Sequence, residues 1–176
     1  SLKNIKFKSG DLLNIHPKEE GFIRQYSIGK IGKDILLSIR KHNQGVCSSY
    51  LNELNIGESL NASFKSNSNF HFPKKAHSII LISNGTGIAP FLGMINENKS
   101  QIPLYLFWGG RTKESLKLYE KYINGAISKK YLSYFQEALS KESKKEYVQD
   151  VLIINKNKVC ETIKNNGVIM ICGSLS

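Results

Sequence analysis

The N-terminal part of the chain, up to Pro73, reads as short strands joined by turns. Ile35, Leu37 and Ile39 alternate with Leu36, Ser38 and Arg40, the period-two pattern of a strand with one buried face. The segments Asp11 to His16 and Leu60 to Lys65, near glycines, look similar, and some four strands can be read before Pro73. The pattern changes at Ala76. Ser78 to Ile82, Leu104 to Trp108 and Val168 to Cys172 are continuous apolar runs, as expected of strands covered on both faces in a parallel sheet.

Helical stretches separate these runs, and their ends are legible. Pro90 stands in the first turn of a helix over Ile88 to Asn98, where a missing N–H does no harm. Thr112 caps a helix that carries Glu114 early and Leu116, Tyr119 and Ile123 on one face. Lys158 to Asn166 precedes Gly167, a natural terminator, and Gly45 to Ser48 opens a helix that runs through Leu54 and ends by Gly57. Alternating strands and helices predict a doubly wound α/β sheet with right-handed crossovers. The organisation expected is therefore two-domain: a small β-structure over residues 1–73, then an α/β doubly wound parallel sheet over residues 77–176. Pro73 and two lysines interrupt both patterns between Phe72 and His77.

Composition narrows the class. The 176 residues, 40% hydrophobic and 22% charged, suit a globular protein with one large core or two small ones. No apolar run approaches the roughly 20 residues of a membrane-spanning helix, and no signal peptide opens the chain. Cys47, Cys160 and Cys172 are odd in number and far apart, which suits reduced thiols and a cytoplasmic location. The net charge of +11 would suit nucleic acid, but only Arg24, Arg40 and Arg111 are arginines and the lysines are dispersed. A solvated lysine surface, a phosphorylated cofactor or an acidic electron-transfer partner accounts better for the charge, and nucleic acid is not expected. His16, His42, His71 and His77 lack the carboxylate or cysteine neighbours of a metal site.

Each apolar run ends in a loop suited to a ligand: Asn84-Gly85-Thr86-Gly87, Gly109-Gly110-Arg111 and Gly173-Ser174. Ligands of open α/β sheets bind at the carboxyl ends of the strands. Gly85 and Gly87 allow close backbone approach, and the helix that follows offers unpaired N–H groups to an anion such as a dinucleotide pyrophosphate.

A family resemblance enters here. Arg24-Gln25-Tyr26-Ser27 resembles the Arg-x-Tyr-Ser flavin motif of ferredoxin–NADP reductases and diflavin reductases, and Gly45-Val46-Cys47-Ser48 resembles their second FAD segment. Asn84 to Phe91 (NGTGIAPF) is similar to their NADP glycine loop, and Ser140-Lys141, Lys145 to Gln149 (KEYVQ) and Cys172-Gly173 follow in family order. The WGGR and YVQD segments look closest to reductase modules related to the sulfite reductase flavoprotein, including membrane-anchored ones with PepSY-type regions.

The resemblance implies that residues 1–73 are a partial antiparallel β-barrel that binds FAD and that residues 77–176 bind NADP(H). Arg24 holds the pyrophosphate, Gln25 neighbours it, Tyr26 stacks on the isoalloxazine, and Ser27 hydrogen-bonds the flavin nitrogen. Gly45, Val46, Cys47 and Ser48 present helix amides to the same pyrophosphate. Thr86, Gly87, Gly110, Arg111, Ser140, Lys141, Lys145, Tyr147, Gln149 and Gly173 contact NADP(H), with the cations near a ribose phosphate. Lys141 stands where the family commonly has arginine, and Lys144 is an alternative to Lys145 because the spacing from Ser140 is one residue short. Cys172 lies beside the nicotinamide and, with Ser27, completes the catalytic pair.

The implied activity is an NADPH-dependent reductase passing electrons through FAD to a flavodoxin-like or FMN domain, an iron–sulfur protein or a haem. The chain is expected to lack one or two opening barrel strands and a final helix and strand. A catalytically silent nucleotide-binding or scaffold domain is the competing reading, against which the intact Arg24, Tyr26 and Ser27 stand.

Overall fold

The computed structural model describes residues 6–17 and 21–173. Five strands carry the N-terminal half: β1 (Leu12–His16), β2 (Arg24–Ser27), β3 (Gly29–Ile31), β4 (Asp34–Leu36) and β5 (Asn61–Lys65). β1 lies between β2 and β5, antiparallel to both, with Leu13 opposite Tyr26 on one side and Phe64 on the other. Alternation along β1 turns Leu13 and Ile15 inward, where they meet Phe7 and Ile28 in a small core. Helix α1 (Val46–Glu53) packs Tyr50 and Leu51 against it.

The alternation from Ile35 to Arg40 gives a strand only as far as Leu36. β4 has just the three-residue β3 as partner, with Gly29 opposite Leu36, so the ladder ends there. Beyond it the backbone leaves the hairpin. The Ser38 hydroxyl is instead hydrogen-bonded to the Tyr119 hydroxyl at 2.6 Å, in the other half of the molecule.

The apolar runs form the parallel sheet expected of them. β6 (Ile79–Asn84), β7 (Leu104–Gly110), β8 (Tyr134–Leu139) and β9 (Val168–Cys172) stand in the order β8-β7-β6-β9, all parallel. Two helices, α2 (Ile88–Glu97) and α3 (Lys113–Ser128), cover one face over Leu81, Leu106 and Trp108. On the other face, α4 (Val148–Ile154) and α5 (Lys156–Lys164) cover Ile80, Phe107 and Ala138. This is a doubly wound sheet behind an antiparallel one. β8 escapes the hydrophobic pattern because Gln136 and Glu137 interrupt it.

Helix ends follow local chemistry. The Thr112 hydroxyl accepts from the Ser115 N–H and the Ser115 hydroxyl oxygen accepts from the Thr112 N–H, a reciprocal cap for α3. α5 starts at Lys156, earlier than the pattern suggests, and its reversal is made by Asn166 at φ 54° rather than by Gly167. Gly167 is required for space: a Cβ there would lie 2.4 Å from the Thr162 Cγ2.

The halves meet along a backbone seam. A Cβ on Gly93 of α2 would lie 2.5 Å from the Lys30 amide nitrogen of β3, and one on Gly29 would lie 2.3 Å from the Ala89 carbonyl oxygen. Ser9 reinforces the contact by donating to Glu97 at 2.6 Å while accepting from the Lys30 N–H at 3.1 Å. Phe70 and Phe72 carry the chain across this seam into the larger core.

Candidate nucleotide and flavin cleft

The strand order places a switch point between β6 and β9, since α2 leads from β6 to one side and β9 returns on the other. The two strands come close there. A Cβ on Gly87 would lie 2.3 Å from the Cys172 carbonyl oxygen, so only glycine lets the loop after β6 pass the end of β9. Gly85, at φ 53°, begins the short 3-10 turn that leads into α2, and a Cβ built on it meets nothing within 4 Å. Its backbone is therefore open to an approaching group.

A cleft of about 710 Å³ opens between this point and the antiparallel sheet. Arg24, Gln25, Tyr26 and Ser27 of β2 form one wall, and Gly45, Val46, Cys47 and Ser48 at the start of α1 form another. Thr86, Gly87, Cys172 and Gly173 close it from the parallel sheet. All twelve of these sequence-selected residues thus share one cavity; Ser174 lies outside the described residues. Ser38, Ile39, Arg40 and His42 also line it and were not singled out by any motif. Arginine usage held a signal: two of the three arginines, Arg24 and Arg40, stand in this cleft.

Burial acts on two side chains of the cleft. Burial pushes the Tyr26 phenol above its ordinary range, Cys47 adds to the rise and Arg24 opposes it. Burial likewise raises the Cys172 thiol, partly offset by a hydrogen bond from the Ser27 hydroxyl. Ser27 and Cys172, contributed by the two different sheets, line the same cleft. At neutral pH Cys172 is an S–H group, unsuited to nucleophilic attack.

The remaining selected residues gather separately, at the ends of β7 and β8. The Ser140 N–H donates to the Gly110 carbonyl at 3.0 Å and the Lys141 N–H to that of Arg111 at 2.8 Å. The Ser140 hydroxyl also donates to the Gly110 carbonyl, at 3.2 Å. Lys145 holds its ammonium 5.5 Å from the centre of the Tyr147 ring, whereas Lys144 pairs with Glu146 at 2.9 Å. Gln149 is exposed in the first turn of α4. This group forms an exposed cationic shelf beside the cleft rather than part of its lining.

A family described as the oxidoreductase NAD-binding domain matches residues 81–176. The chain is 27% identical over 176 residues to NADPH-dependent diflavin oxidoreductase 1 of Gibberella zeae, covering 97% of this chain and 29% of that protein. It is 31% identical over 156 residues to the sulfite reductase [NADPH] flavoprotein alpha-component of Buchnera aphidicola, covering 85% and 25%. The chain thus spans less than a third of these curated relatives. Ferredoxin-NADP+ reductase of Plasmodium falciparum, crystallised as a mutant with 2′P-AMP, shares the fold at a TM-score of 0.72 and 19% identity, covering 98% of this chain and 76% of that one.

Proposed function

The chain belongs to the oxidoreductase NAD-binding domain family, within the ferredoxin–NADP reductase-like superfamily, and on that premise we propose that it is the part of an NADPH-dependent reductase where NADPH meets FAD. When bound, the nicotinamide supplies a hydride and the flavin accepts it, releasing single electrons to an FMN or flavodoxin-like domain, an iron–sulfur protein or a haem. The observation that carries this reading is that Arg24 to Ser27 of one sheet and Thr86, Gly87, Cys172 and Gly173 of the other line one cleft.

The residues present fit both groups. Helix α1 begins on Gly45, which has no side-chain acceptor, so its first-turn N–H groups remain available to an anion. Arg24 adds a planar cationic fork on the same wall, and Tyr26 offers a neutral ring for stacking. Ser27 supplies a hydroxyl that can turn toward a flavin nitrogen, while the neutral Cys172 thiol fills the space beside the nicotinamide without introducing charge. Residues 1–73 then provide the FAD side and residues 77–176 the NADP side.

Discrimination for the ribose phosphate falls to the shelf. With the Ser140 hydroxyl turned to the Gly110 carbonyl and Lys144 paired with Glu146, Lys141, Lys145 and Arg111 supply the charge. Tyr147 and Gln149 border it. NADPH is therefore used in preference to NADH.

The test is anaerobic stopped-flow reduction of FAD in the full-length protein. Cys172→Ala should lower the limiting rate by about tenfold or more through misplacement of the reacting carbon, with little change in the NADPH dissociation constant. Lys141→Ala combined with Lys145→Ala should erode the preference for NADPH. An unchanged limiting rate in Cys172→Ala would assign that side chain to packing, and protein that fails to retain FAD would end the reading.

A further inference from the structure

Trp108, the one tryptophan of the chain, occupies the middle of a line of contacts that crosses the molecule. Its indole N–H donates to the Gly85 carbonyl at 2.9 Å. Its ring meets the Tyr119 ring edge-on, with centroids 5.7 Å apart at 71°. The Tyr119 hydroxyl in turn shares a 2.6 Å hydrogen bond with Ser38, which lines the flavin side of the cleft.

Each link constrains its neighbours. Trp108 is 1% exposed and Tyr119 9%, so neither ring has solvent into which to move. The indole folds back over its own strand end: a Cβ on Gly110 would lie 2.2 Å from the Trp108 Cη2, so glycine at that position gives the indole its place. Gly85 adopts a positive φ and no side chain of its own anchors it, so the bond from Trp108 to its carbonyl ties the 3-10 turn it begins to the buried indole.

We infer that Ser38, Tyr119 and Trp108 form a strut that holds the glycine loop at a set position relative to the wall formed by Ser38 to Arg40. They are positioning residues for the loop, and touch neither flavin nor nucleotide through the two rings. The inference deepens the proposed function, since what the strut aligns is the pyrophosphate end of one cofactor with the pocket of the other. It also explains why residues 37–40 leave the strand pattern: Ser38 is directed to Tyr119.

Two measurements on the full-length protein separate the strut from the functional reading. Amide hydrogen exchange without ligand reports the strut, and calorimetric titration with NADP+ reports the site. Tyr119→Phe keeps the ring and removes one hydrogen bond, so exchange should quicken about fivefold both near Ser38 and at residues 85–88. NADP+ affinity should fall by a similar factor. Ser38→Ala should reproduce both effects, the double variant should add nothing, and Ser38→Thr should restore them. Faster exchange confined to the Ser38 segment, with residues 85–88 and NADP+ affinity unchanged, overturns the strut while leaving the site reading intact. A wild-type protein that binds no NADP+ overturns the site reading and the positioning role together.

Discussion

At the scale of single residues, Asp11 shows how one carboxylate organises three segments. Its Oδ1 accepts from the Asn67 N–H at 2.9 Å and pairs with the His71 Nε2 at 2.7 Å, while Oδ2 accepts from the Lys8 N–H at 2.8 Å. Burial alone would raise this carboxyl, but the bonds from His71, Asn67 and Lys8 outweigh it and hold Asp11 below the usual carboxylate range. A depressed carboxylate contributes stability that is present above its unfolded value, about 4, and is lost as pH falls through the lower folded value. Asp11→Asn puts an amide group where one carboxylate oxygen now accepts, and should cost about 2 kcal/mol at neutral pH. Urea midpoints measured from pH 6 down to pH 3 should fall more steeply in the wild type than in the variant; parallel slopes would show that another group governs acid unfolding.

Among the elements, α3 is the clearest case of local chemistry deciding a boundary. Its cap was legible from Thr112 alone, and the structure adds the reciprocal bond from Ser115, which no Glu-based capping rule would have named. Thr112→Ala should lower stability by about 1 kcal/mol, and Thr112→Ser should recover most of it, as read from denaturant unfolding. A neutral Thr112→Ala would mean that packing of Leu116, Tyr119 and Ile123 alone sets the start of the helix. The contrast with β8 is instructive. Its polar interior residues hid it, and its place at the sheet edge, with β7 alone beside it among the described strands, explains why such residues are tolerated there.

For the whole molecule, the seam between α2 and β3 decides how the two sheets face each other. Replacing a helix-interior glycine by alanine ordinarily stabilises by about 1 kcal/mol. At Gly93 the added carbon would press on the backbone of Gly29 and Lys30, with 2.8 Å to the Gly29 Cα, and overpacking of this kind costs about 1–3 kcal/mol. Gly93→Ala should therefore destabilise the protein despite its better helix propensity, and should weaken FAD retention because the cleft lies between the parts it forces apart. Calorimetric melting together with the flavin spectrum checks both effects. A more stable Gly93→Ala protein with full FAD content would show that the seam can yield.

Periodicity and turn chemistry alone were enough for β6, β7 and β9 of the parallel sheet and for most of its helices, because a strand covered on both faces must be apolar throughout and a helix must cap its own ends. The residues of β2 and α1 that line the cleft were selected through the family resemblance and the glycine loop through its place after an apolar strand, and the structure gathers them around one cavity. Three features were decided only by tertiary structure. Ser38 to Arg40 follow an alternating pattern yet form a cleft wall, because a hydroxyl distant in sequence captures Ser38. Gly29, Gly93, Gly110 and Gly167 are glycines for want of space, and the atoms that take that space come mostly from other elements. Ser27 and Cys172 are far apart in the chain, and only the folding of one sheet against the other brings them to the same cleft.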